Sequence, residues 1–130
     1  VSRRLLLDTH AFLWWISDDP RLSRPAREAI ADGRNAVFLS AASAWEMAIK
    51  SGLGRLRLPE DLEAFLAEQL RANGFKPLPV TLSHALAVRQ LPDHHKDPFD
   101  RMLVAQAIRE DLTLVSGDAE IARYPVPRLW

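Results

Sequence analysis

No cysteine occurs among the 130 residues, which excludes disulfides, iron–sulfur clusters and thiolate zinc sites and suits a reducing cytosol. Charge of one sign is also lacking: 17 Lys and Arg balance 17 Asp and Glu. A protein that grips nucleic acid mainly by counterion release is usually basic, so any such contact here must be local, metal-bridged or assembled across an oligomer. Long apolar runs are missing too. Arg3 and Arg4 before Leu5-Leu6-Leu7 imitate the start of a signal peptide, but Asp8 and His10 interrupt the run too early. No stretch nears the roughly 20 apolar residues of a membrane helix. Repeats, low-complexity tracts and interdomain linkers are absent. The expectation is one soluble, cytoplasmic domain over residues 1–130, whose 48% hydrophobic content supports a core without staples.

What is present alternates between short apolar runs and longer periodic segments. Arg4 to Leu7, closed by Asp8-Thr9, has the pattern of a buried parallel strand. Ala11 to Ile16 reads as a helix, as does Arg24 to Ala31, with Ser23 as N-cap and Pro25 in its first turn. Ala36 to Leu39 is a second strand, after which Ser40 caps a helix ending near Gly52. Pro59 introduces an amphipathic helix with Leu62, Phe65, Leu66 and Leu70 on one face and Asn73-Gly74 as its stop. Phe75 to Val80 is a strand whose Pro77 and Pro79 suit an edge. Ser83 opens a short helix through Val88, and Asp97-Pro98 starts another from Phe99 to about Arg109. Leu112 to Val115 is a strand, Asp118 to Arg123 a helical turn, and Val126 to Trp130 a last strand. This alternation predicts an α/β domain with a largely parallel sheet and right-handed crossovers.

In such sheets ligands bind beyond the carboxyl ends of the strands. Asp8 follows the first strand, Asp100 lies in the first turn after Pro98, and Asp118 follows Leu112 to Val115 through Ser116-Gly117. Each has a bland reading: Asp97 is a good N-cap, Asp100 complements a helix dipole, and Asp118 caps a turn. Glu46 resists dismissal. It sits on or beside the stripe Ala42, Trp45, Ile49 and Leu53, where a core-facing carboxylate needs compensation from Lys50 one turn on, or from a metal. Like charges about 4 Å apart repel by on the order of 4 kcal/mol at an effective dielectric near 20, so four converging acids call for a cation. Oxygen-only ligands favour Mg²⁺ or Mn²⁺, and the chemistry such ions suggest is phosphodiester cleavage by activated water.

Four segments, LLLDTH (5–10), SAASAWEMAIK (40–50), DPFDRMLVAQA (97–107) and TLVSGD (113–118), resemble in order the motif blocks of PIN domains, and most of all the VapC toxins of bacterial toxin–antitoxin pairs. The resemblance spans essentially the whole chain. It implies a three-layer α/β/α fold with a central sheet of about five strands, and a metal site of Asp8, Glu46, Asp100 and Asp118. Asp100 matches the family's third acid better than Asp97, and Thr9 and Ser116 match hydroxyls that orient the acids. It further implies an endoribonuclease acting on RNA, a homodimer, and a small antitoxin whose peptide blocks the site. Trp14, Trp15 and the Leu62/Phe65/Leu66/Leu70 face are the surfaces expected to pair. The inhibitor groove is expected between the Glu46 helix and the helix from Glu60 to Arg71.

Other readings fit less well. A receiver domain needs an acceptor aspartate after its third strand, where this chain has Thr81-Leu82-Ser83. A haloacid-dehalogenase-like phosphatase needs a second aspartate where Thr9-His10 stands. A non-catalytic binding module leaves the acids without purpose. A zinc site at His94, His95 and Asp97 lacks spaced partners, so a solvated loop is expected there, and packing rather than base stacking is expected for most of Trp14, Trp15 and Trp45.

Overall fold

The computed structural model describes residues 2–130. Strand β1 (Arg4–Leu7) is followed by helices α1 (Thr9–Ile16) and α2 (Arg24–Ala31), then β2 (Ala36–Ser40) and α3 (Ala41–Gly52). Next come α4 (Leu62–Asn73), β3 (Lys76–Leu78), α5 (Leu82–Ala87), α6 (Pro98–Glu110), β4 (Thr113–Val115) and β5 (Arg128–Leu129). The five strands form one sheet in the order β3-β2-β1-β4-β5, and every pairing is parallel.

The sheet's two faces are written in alternate residues, because successive side chains of a strand point to opposite sides. Leu5, Leu7, Val37, Leu39 and Val115 join one core with Phe12, Ala26, Ile30 and Met47, covered by α1, α2 and α4. Leu6 and Leu114 join the other with Leu103, Val104 and Ala107 of α6 and with Tyr124. Three layers result, α/β/α. Helix α3 starts at the carboxyl end of β2 and packs against both α1 and α6, so it bridges the layers.

Caps set where the helices begin. Asp8 caps α1 by accepting from the Ala11 amide at 2.7 Å, and Asp97 caps α6 by accepting from the Phe99 and Asp100 amides. Helix α1 therefore starts two residues earlier than the apolar pattern predicts. Helix α5 is opened by Thr81 rather than Ser83, because the Thr81 hydroxyl and the His84 ring satisfy each other's backbone amides. The strand with Pro77 is an edge strand, as its missing donor requires.

Candidate active site

Asp8 and Asp118 stand at the carboxyl ends of the strands, with Asp100 near enough to feel the charge of both. Asp8 leaves β1, the central strand, and its amide still bonds to the Val115 carbonyl of β4 at 3.1 Å. Asp118 follows β4 on an exposed turn whose amide donates to the Ser116 hydroxyl at 3.1 Å, and its own carboxylate accepts from the Glu120 amide at 2.8 Å. Asp100 reaches in from the first turn of α6.

Their proton affinities register that closeness. Burial pushes the Asp8 carboxyl above the usual range; hydrogen bonds from Ser116 and the Ala11 amide and the charge of His10 oppose this, while Asp118 adds to it. Asp100 is pushed up to about 6, first by burial and next by Asp97, with a hydrogen bond from His95 opposing and Asp118 and Asp8 reinforcing.

Glu46 stands apart from this trio yet is tied to it through Thr9. It is buried, on the inward side of α3 with Ala42, Ser43 and Met47. The Thr9 hydroxyl, next to Asp8, lies 2.7 Å from Glu46 Oε1 and 2.9 Å from Ser43 Oγ. Thr9 has one proton and an ionised carboxylate only accepts, so Thr9 donates to Glu46 and Ser43 donates to Thr9. The other Glu46 oxygen takes the Lys50 ammonium. This corrects the stripe read from sequence: Ala42 faces inward with Glu46, but Trp45 and Leu53 are 62% and 63% exposed. Periodicity located two faces of α3 and did not say which one the sheet covers.

The donor set fits a hard divalent cation, being all oxygen and including two carboxyls, Asp8 and Asp100, raised by burial and by neighbouring acids. It is open rather than closed: among the described residues no three His, Asp or Glu side chains already converge to metal-holding range. His94, His95 and Asp97 do not gather as a zinc site, since Asp97 caps α6. The loop is not simply solvated either. His94 packs edge-on against Tyr124 at 4.9 Å, and His95 bridges Tyr124 Oη (2.8 Å) and Asp100 Oδ2 (3.3 Å). Arg101 donates to the same phenol oxygen at 3.0 Å. Sequence spacing missed this support because His95 lies outside any periodic element.

Around the acids the surface is apolar and aromatic. A cavity of about 230 Å³ is lined by Asp8, His10, Trp14, Gly117, Asp118 and Trp130. The Trp130 indole lies so close to Gly117 that a Cβ there would fall 2.4 Å from it. A larger groove of about 500 Å³ shares His10 and Trp14 and continues past Leu58 and Phe65, with Arg21 and Arg57 on its walls. It runs between α1 and α4. Nor is the leucine face of α4 free: Leu62, Leu66 and Leu70 pack on the core, and the Trp15 indole donates to Asn73. Exposed apolar surface lies instead on Trp45 and Leu53 of α3 and on Leu82 and Leu86 of α5, the last two 82% and 72% exposed.

A three-layer domain with a wholly parallel sheet and acids gathered at its carboxyl edge belongs to the class of α/β proteins that work at strand ends. The PIN domain model matches residues 5–127, and the chain belongs to that family. It is 31% identical to ribonuclease VapC22 of Mycobacterium tuberculosis over 128 residues, covering 95% of this chain and 94% of that protein. Ribonuclease VapC16 of the same organism is 42% identical over 69 residues, 50% of this chain and 49% of that protein. Among solved structures, VapBC2 from Rickettsia felis, bound to a DNA fragment from its promoter, superposes with a TM-score of 0.70 at 17% identity, covering 96% of each chain.

Proposed function

We propose that this chain is a Mg²⁺- or Mn²⁺-dependent endoribonuclease, the toxin of a toxin–antitoxin pair, acting on cytoplasmic RNA as a homodimer. The observation that carries the reading is the placement of Asp8 and Asp118 at the strand ends with Asp100 near both, Asp8 and Asp100 being held above their ordinary proton affinities by burial first and by neighbouring acids next. The names of the VapC relatives support the same activity. When bound, the cation supplies neutralisation of these acids and Lewis-acid assistance to hydrolysis of the phosphodiester.

Asp8, Glu46, Asp100 and Asp118 are the residues that would hold it. The chain's own part is to orient them. Ser116 holds Asp8, Thr9 holds Glu46, and His95 holds Asp100 against Tyr124. Asp97 fixes the first turn of α6 and so the direction from which Asp100 arrives. The exposed face of α3 and α5 is the surface that a second copy covers, and the groove between α1 and α4 receives an inhibitor peptide. A basic side chain of that peptide, arginine by its bidentate fit, pairs with the acids and competes with metal.

The test is cleavage of a mixed RNA pool with Mg²⁺, with Mn²⁺ and with chelator, followed by end mapping. Cleavage is expected only with metal, and Asp8→Asn and Asp100→Asn are expected to abolish it while the protein stays folded. Undiminished cleavage by either variant, or in chelator, overturns the assignment. Expression in a bacterial host is expected to arrest growth, with rescue by the neighbouring gene product; equal growth in both cases removes the toxin reading and leaves the nuclease one.

A further inference from the structure

Building on the ribonuclease reading, we infer that the cavity walled by His10, Trp14 and Trp130 beside Asp8 and Asp118 is a slot for one nucleobase adjoining the scissile phosphate. The lining of the cavity combines two chemistries, the carboxylates of Asp8 and Asp118 and the rings of His10, Trp14 and Trp130. A nucleotide has the same duality, a phosphate joined to a flat apolar base. With its phosphate at the acids, the base falls among the rings.

Size agrees with one base. The volume of about 230 Å³ is below the roughly 300–1,000 Å³ of pockets that enclose drug-sized ligands. The rings form one contiguous aromatic wall: His10 and Trp14 stand 5.5 Å apart at 33°, and Trp14 and Trp130 5.9 Å apart at 55°. Both indoles are anchored. Trp14 packs on the core and carries the Arg21 guanidinium at 4.9 Å, while Trp130 is seated against Gly117. A preset ring needs no ordering when a base arrives, and base–aromatic stacking accepts any base because each has a π face.

The slot also answers the neutral net charge. His10 and Trp14 form the wall it shares with the larger groove, which Arg57 lines together with Arg21, the latter paired with Asp19 at 2.8 Å. Electrostatic contact is therefore local, and the aromatic slot supplies affinity that a basic surface supplies elsewhere.

The experiment pairs substitutions in the full chain with short RNAs carrying one abasic nucleotide at each position around the mapped cut, in Mg²⁺ or Mn²⁺. Trp130→Ala is expected to raise KM about tenfold, with the loss in KM rather than kcat, and Trp130→Phe to restore most of it. One abasic position is expected to reproduce that rise with the unsubstituted protein, and Trp130→Ala to add nothing further on that RNA. An unchanged KM, a loss confined to kcat, or additive losses at every abasic position overturns the slot. If Trp130→Ala does not fold, the exposed His10→Ala takes its place under the same criteria. If the unsubstituted protein cleaves nothing, the ribonuclease reading falls by itself. The slot is then judged by quenching of tryptophan fluorescence with short RNAs against their abasic counterparts, and equal quenching by both removes it.

Discussion

Asp100 carries the clearest pH signature in the molecule. Its folded-state pKa of about 6 lies above the ordinary 3.8, so between these values the native protein binds more protons than the unfolded chain. The contribution of Asp100 to native stability is fully present below the lower value and is lost as pH rises through about 6. For the metal-free protein the loss is on the order of 3 kcal/mol, and Asp8 acts in the same direction. Thermal melts in chelator from pH 4 to 7.5 are expected to show a falling Tm. Asp100→Asn is expected to flatten the slope and raise Tm at neutral pH by several degrees. An Asp100→Asn melt that follows the unsubstituted curve throughout contradicts this origin of the slope.

Thr9 is the second residue to test. Thr9→Val keeps the shape but removes the donor to Glu46 and the acceptor for Ser43, both buried. A cost of about 1–3 kcal/mol in urea unfolding is expected. Asp8, Asp100 and Asp118 were legible in the sequence because each stands next to an element boundary that composition marks. The orientation of Glu46 was not, because it depends on which face of α3 the sheet covers.

At the level of elements, Leu82 and Leu86 of α5 are 82% and 72% exposed, and Trp45 of α3 is 62% exposed beside Phe99. Leu82→Glu with Leu86→Glu is expected to convert a sedimenting dimer to monomer at micromolar concentration, with the unfolding midpoint of the monomer nearly unchanged. An unsubstituted protein that is already monomeric and fully active removes the homodimer reading. The strands and most helices were readable from period and punctuation: Pro77 announced an edge, and Asp97-Pro98 announced α6. The leucines of α4 misled because an amphipathic face looks the same whether it meets its own core or another chain. The start of α5 misled because a histidine, not an acid, completes its capping box.

For the whole molecule, the parallel sheet and its layers followed from the alternation of strand and helix, whereas the aromatic surroundings of the acids did not. Trp130 reaches Gly117 only because β5 pairs beside β4. Among the described residues no helix is long and apolar enough to cross a membrane. The strand order has a temporal side. Strand β1 precedes the other four strands but lies in the middle of the sheet, and its partner β4 follows β2 and β3 in the chain. Parallel pairing across such a separation closes late, and chains emerge from the ribosome at about 5–20 residues per second. A nascent or prematurely terminated chain lacking β4 holds Asp8 without Asp118 and without the strand that fixes Ser116 beside it. A chain still short of β4 therefore lacks the pairing that sets Asp8 beside Ser116 and Asp118, and the candidate site assembles only once that strand has been synthesised.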